Sequence, residues 1–168
     1  MYENYYVTSD THLFHYNIIE YDNAPYASIK EMANDIVLKW NSTVPKSAKV
    51  LHLGDVTFGN KELTTNIIKK LNGEIILIKG NHDRRHSSNF YLDCGFSKVY
   101  DHPTIMFGNI IFSHKPLEIN YGDLWNIHGH IHTAPAPSKK HFNAGIMTND
   151  YKPYNLKSIV KELKNGNK

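Results

Sequence analysis

"EIILIKGNHDRR" occupies residues 74–85. Its first half is apolar from 75 to 78, the length and composition of a buried strand. Its second half places an amide (Asn81), an imidazole (His82), a carboxylate (Asp83) and two guanidiniums (Arg84, Arg85) directly after Gly80. These groups bind cations, move protons and hold anions. At the point where a buried strand surfaces, they indicate a site at the sheet edge.

Working outward, the same event recurs. "YYVTSDTH" (5–12) ends on Asp10 and His12, and "VLHLGD" (50–55) ends on Asp55. "IIFSH" (110–114) ends on His114, and "WNIHGHIH" (125–132) carries His128, His130 and His132. The two-residue spacing of Asp10/His12 and of His130/His132 directs each pair to one side of an extended chain. Gly54, Gly80 and Gly129 each precede a candidate ligand, where a missing Cβ permits a tight turn.

Beyond His82, the set comprises two carboxylates, one amide oxygen and four imidazoles. One divalent cation takes about four to six donors, so the set is too large for one and suits two, with a shared carboxylate. Imidazole and carboxylate without thiolate suit Mn, Fe, Zn, Co or Ni and argue against Ca or Mg alone. Cys94 is the only cysteine, so neither an intramolecular disulfide nor a thiolate cluster is available.

Helices fill the gaps between the first strands. "SIKEMANDIVLKW" (28–40) has Ile29, Met32, Ala33, Ile36, Val37 and Trp40 at helical spacing, and Ser28 with Glu31 matches a capping box. "KELTTNIIKKLNG" (61–73) predicts a helix with Leu63, Ile67 and Leu71 on one stripe and Gly73 as its C-terminal cap. "TIMFGNIIFSH" (104–114) predicts a hairpin around Gly108-Asn109. "LWNIHGHIH" and "KHFNAGI" predict short strands on either side of the proline-bearing loop 133–140. "NLKSIVKEL" (155–163) predicts a final helix with Leu156, Ile159, Val160 and Leu163 inward. The expected fold class is α/β: two sheets sharing a core, with helices outside.

At 168 residues, one domain over 1–168 is expected. The net charge of +3 comes without a dense basic run, so a dedicated nucleic-acid arm is not indicated, while an anionic substrate is compatible. No run of about 18 apolar residues exists and the first residues lack a signal-peptide pattern, so a cytoplasmic protein without a membrane span is expected.

In this order, the motifs resemble those of the calcineurin-like metallophosphoesterase superfamily: Asp10-Thr11-His12, Gly54-Asp55, Gly80-Asn81-His82-Asp83, His114 and Gly129-His130-Ile131-His132. The resemblance implies a four-layer α/β/β/α sandwich with two mixed sheets and a dinuclear centre. In it Asp10, His12 and His132 bind one metal, Asn81, His114 and His130 bind the other, and Asp55 bridges. It further implies His82 as the acid protonating the leaving oxygen, with Asp83 holding its imidazole. Manganese is favoured among the candidate ions. The expected chemistry is hydrolysis of a phosphomonoester or phosphodiester by a metal-bridging hydroxide. A small nucleotide-like phosphodiester is the preferred substrate, because a 168-residue chain has no space for the extra domains usual in nucleases of this group. A catalytically silent binding module, a phosphoprotein phosphatase and a nuclease are the alternatives, and oligomeric state is open. Phe58 stands where purple acid phosphatases carry a tyrosine ligand, which excludes a ferric-tyrosinate centre.

Other residues have plainer readings. Arg84, Arg85 and His15 are candidates for contact with the substrate phosphate. His52 is expected to be a satisfied core histidine and His128 a supporting one. His86, His102 and His141 are assigned to surface or loops, and Asn143 to a turn. Phe14, Tyr16 and Tyr121 are loop aromatics available to stack on a base.

Overall fold

The computed structural model describes residues 2–120 and 122–166. Two mixed sheets face each other. The larger has strand order β4-β3-β2-β1-β9, formed by β1 (Tyr5–Thr8), β2 (Lys49–His52), β3 (Glu74–Ile78), β4 (Lys98–Tyr100) and β9 (Tyr154–Asn155). β1 to β4 run parallel, and β9 is antiparallel to β1. The smaller has order β5-β6-β7-β8, formed by β5 (Thr104–Met106), β6 (Ile110–Phe112), β7 (Trp125–His128) and β8 (His141–Asn143). Only its β5/β6 pair is antiparallel.

The short apolar strands explain this arrangement. In a parallel sheet both faces are covered, so strands are continuously hydrophobic. Val7, Leu51, Leu53, Ile76 and Ile78 of the larger sheet pack against Ile110, Phe112, Ile127 and Phe142 of the smaller one. The opposite face of the larger sheet (Val50, Ile75, Leu77) takes Trp40 and Tyr91 from the helices. Those helices are α2 (Ile29–Thr43), α3 (Lys61–Ile68) and α4 (Ser88–Cys94). A four-residue helix, α1 (Ile18–Tyr21), follows the first loop. The last helix, α5 (Leu156–Asn165), lays Leu156, Ile159, Val160 and Leu163 into the inter-sheet core beside β1, β8 and β9.

Four local expectations shift. Ser28 Oγ caps α2 by accepting the Glu31 N–H at 3.2 Å, but Glu31 reaches back to the Ala27 N–H (2.8 Å). α3 buries Thr64, Ile67 and Ile68 while Leu63 is exposed, a stripe turned by one residue. Thr64 qualifies because its hydroxyl pairs with that of Thr57 at 3.2 Å. α3 also ends at Ile68, so Gly73 (φ 92°) serves the turn into β3. The hairpin turn is centred on Phe107 and Gly108, both at positive φ, one residue earlier than the sequence indicated.

Candidate metal centre

Every candidate ligand follows a strand end on one edge of the sheets. Backbone pairing continues past the strands and holds the loops in register: Asp10 N–H donates to the Gly54 carbonyl (2.9 Å) and His12 N–H to that of Asp55 (3.0 Å). Gly129 N–H donates to the His114 carbonyl at 2.9 Å, and His130 N–H to Asp10 Oδ2 at 2.9 Å, which ties the two sheets together.

The geometry that aims the ligands is not the strand pleat. Asp10 (φ 57°), His12 (43°), Asp55 (55°), His130 (71°) and His132 (50°) all have left-handed backbone. Non-glycine residues enter that region at a cost on the order of 1 kcal/mol or more each, and the cost collects where function demands it. β7 stops at His128, so "GHIH" is a loop and not an extended segment. The two-residue pairs therefore meet through tight left-handed turns. Glycine is required beside them: a Cβ on Gly80 would collide with the Asp55 carboxylate, and one on Gly129 with Ser9 and Asp10.

Two groups of donors result. Asp10, His12 and His132 offer ligand atoms within 4.8 Å of one another, as do Asp55, His114 and His130. Asn81 joins the second, its Oδ1 2.9 Å from His114 Nε2. Asp55 Oδ2 lies 3.3 Å and His130 Nδ1 3.2 Å from that same nitrogen. His114 Nδ1 is used on the Leu53 carbonyl at 2.8 Å, so a neutral ring turns its Nε2 lone pair toward two oxygen acceptors. In the first group Asp10 Oδ1 and both His12 ring nitrogens are buried without any hydrogen-bond partner among the described residues. Buried acceptors turned on one another are costly unless something positive lies between them. Both groups thus fit divalent cations.

The electrostatics agree. Burial pushes the Asp10 carboxyl up to about 6 and the His12 imidazole down to about 3. Burial also pushes Asp55 upward, but the hydrogen bond and charge of His114 more than offset it and bring the carboxyl down to about 2. His114 is raised in turn: burial opposes its charge, and the carboxylates of Asp55 and Asp10 prevail.

His132 has a partner that the sequence did not announce. Asp22, just past α1, presents a carboxylate oxygen to His132 Nδ1, and this hydrogen bond raises the imidazole pKa. A ligand histidine whose second nitrogen is held by a carboxylate is oriented and made more basic. Nothing in "EYDNAP" has ligand spacing, so only the folded loop identifies Asp22. Asp22→Ala is expected to weaken metal affinity about 10- to 100-fold with the fold intact, which metal titration and circular dichroism would check.

Asp83 requires a correction. Its Oδ2 accepts the N–H groups of Asp55 (2.6 Å) and Gly80 (2.8 Å), and its Oδ1 those of Val56 (3.0 Å) and the Tyr91 hydroxyl (2.9 Å). Fully buried, it stitches the β2 and β3 loops together and makes no hydrogen bond to the His82 imidazole. Removing it would strand three backbone donors. Asp83→Ala is expected to destabilise the metal-free protein by on the order of 4 kcal/mol in urea unfolding. A cost below about 1 kcal/mol would return Asp83 to a purely catalytic role.

His82 is 48% exposed, with Nε2 3.9 Å from Asp55 Oδ2 and its ring 5.1 Å from that of Phe58. Arg85 is turned away from a clamp: its guanidinium lies over the Phe58 ring at 4.1 Å and donates to the Thr57 carbonyl. Arg84 is exposed and lines a cleft beside Asn81 and His114. His15 is half-buried, its ring 4.1 Å from that of Phe58 and 5.9 Å from that of His12. His52 is a satisfied core residue: Nδ1 accepts the Gly54 N–H (3.2 Å) and Nε2 pairs with the Thr11 hydroxyl (3.0 Å). His128 is buried, with Nδ1 2.9 Å from the Gly129 carbonyl oxygen. Asn143 does more than turn the chain, since its amide donates to the carbonyls of His132 (2.6 Å) and Ala134 (3.1 Å). Phe14 and Tyr16 border a depression with His15 and Phe58. Tyr121 lies outside the described residues.

The sequence pattern that defines the calcineurin-like phosphoesterases matches residues 4–164. The chain belongs to the calcineurin-like phosphoesterase family. Metal-dependent hydrolysis of phosphate esters is the activity of that family. An uncharacterized protein of Methanocaldococcus jannaschii is 32% identical over 170 residues, covering 96% of this chain and 92% of its own. A crystal structure of a protein of unknown function from Aquifex aeolicus superposes on this phosphoesterase with a TM-score of 0.72 at 28% identity. It covers 94% of this chain and 97% of the other. That of the nuclease MPE of Pseudomonas putida gives 0.53 at 17% identity over 77% of this chain and 62% of its own, a likeness of fold alone. No helix among the described residues is long and apolar enough to cross a membrane.

Proposed function

We propose that this phosphoesterase hydrolyses a small phosphate ester at a dinuclear centre, with a nucleotide-like phosphodiester preferred. Asp10, His12 and His132 hold one cation, Asn81, His114 and His130 hold the other, and Asp55 bridges. The observation that carries the reading is the convergence of metal-type donors from five loops in two groups, with Asp10 Oδ1 and both His12 ring nitrogens buried without a hydrogen-bond partner among the described residues. Bound there, transition-metal ions, manganese favoured, supply positive charge for the phosphate and an activated water.

The chain's own residues do the rest. His82 stands at the rim, exposed enough to meet substrate and within 3.9 Å of the proposed bridging carboxylate, where it protonates the departing oxygen. Phe58 and the ring of His12 border it, so its imidazole is positioned by ring contacts and not by Asp83. A diester is favoured because the centre has open space on two sides. One is a depression of about 280 Å³ along Phe14, His15 and Phe58, and the other a cleft of about 310 Å³ along Asn81 and His114.

Stripping metal with a chelator is expected to abolish hydrolysis of bis(4-nitrophenyl) phosphate, and about two equivalents of Mn²⁺ to restore it. Full activity in chelator would refute the mechanism. Metal uptake without turnover of any mono- or diester would identify a silent binding module.

A further inference from the structure

We infer that the cleft beyond Asn81 and His114 seats the substituent the ester retains, and that Arg84 and Lys115 select a substituent bearing a second anionic group, such as the next phosphate of a nucleotide strand. The inference rests on the phosphoesterase reading above and names its substrate class.

The charge balance of the cleft carries the argument. Its walls hold three cations, Lys79, Arg84 and Lys115, and one carboxylate, Asp101. Lys79 is spent: its ammonium lies 3.0 Å from Asp101 Oδ1 and donates to the His86 carbonyl at 3.0 Å. Asp101 is spent too, accepting the Ser88 hydroxyl at 3.1 Å as well. Arg84 and Lys115 are exposed, and among the described residues neither side chain has an ion pair or hydrogen bond. Two unopposed positive charges therefore face a cleft that opens directly onto two candidate metal ligands. Ile78, Pro103 and Leu117 give the same cleft apolar surface, suited to a sugar or base between two anions.

Polarity follows from His82. Its ring lies 5.9 Å from that of His12 and 5.1 Å from that of Phe58, which borders the depression, and it does not line the cleft. An oxygen protonated by His82 departs toward the depression along Phe14, His15 and Phe58. The other substituent is left facing Asn81, His114 and the two free cations. Arg85, the remaining guanidinium of "GNHDRR", is held by Thr57 and Phe58 and does not join them.

The test compares the dinucleotide dTpdT with pdTpdT and dTpdTp, using manganese-loaded wild type and the Arg84→Ser/Lys115→Ser double variant. A charge-assisted contact contributes a factor of about ten or more. In the wild type, kcat/KM for one of the two phosphate-bearing substrates is expected to exceed that for dTpdT about 10- to 100-fold. In the double variant the ratio should collapse toward one. A second arm uses metal-free protein, in which the affinity for thymidine 3′,5′-bisphosphate should drop about tenfold in the variant. A wild type without preference, or a preference that survives the double substitution, overturns the assignment. If loaded wild type cleaves no ester, the phosphoesterase reading fails. The bisphosphate arm then decides the cleft by itself, weaker binding in the variant supporting it and equal binding refuting it.

Discussion

Asp55→Asn is expected to lower kcat/KM by about 10³-fold or more, with metal content falling at both positions. The carboxylate is buried, Oδ1 accepts the His82 backbone N–H at 2.9 Å, and Oδ2 lies 3.3 Å from His114 Nε2. Asparagine keeps the shape, and its carbonyl can keep the backbone contact. What it removes is the negative charge that the proposed bridge would share between both groups of donors, and it turns an amide N–H₂ toward the His114 side of the site. Several kcal/mol of charge stabilisation are lost, each 1.36 kcal/mol being tenfold in rate. Asp10→Asn, whose ligand oxygen belongs to one group, should retain more metal than Asp55→Asn. Metal analysis alongside kinetics checks this, and a variant within about tenfold of wild type would remove Asp55 from the bridging position.

His82→Ala is expected to keep its metals and lose activity according to the leaving group. Loss of a general acid costs about 10²–10⁴ in rate. A ribose alkoxide needs its proton in the transition state, whereas a nitrophenolate is stable without one. The variant should therefore lose most activity on a nucleotide diester and distinctly less on a nitrophenyl ester. The backbone N–H of residue 82, which donates to Asp55, survives the substitution, so the metal centre is not disturbed through that contact. Metal content and both rates measured on one preparation decide the matter. Equal losses on the two esters would make His82 a binding or geometric residue, and loss of metal would make it a ligand.

Much of the site was legible before folding. The residues that converge, Asp10, His12, Asp55, Asn81, His114, His130 and His132, were each marked by an apolar run that ends on a metal-type side chain. That signal is strong because a buried strand leaves few positions where polarity is tolerated, and a ligand beside each strand end is a coincidence packing does not produce. The two-sheet α/β class and the apolar stripe of α5 were readable for the same reason, since hydrophobic periodicity records which face is buried.

Tertiary structure decided what depends on partners distant in the chain. Asp83 stands beside His82 in sequence, yet its oxygens face the backbone of the β2 and β3 loops and Tyr91, because four donors there outcompete one exposed imidazole. Asp22 is 110 residues from His132 and has no motif around it, so its role emerges only when the first loop folds over the last. Arg84 and Arg85 are adjacent and chemically identical, but the 3₁₀ turn at His82–Arg85 directs one to the cleft and the other onto Phe58. Ligand identity is a local property of strand ends and is written in residue order. Orientation, pairing and free charge are sums over neighbours in space, and only the folded chain supplies those neighbours.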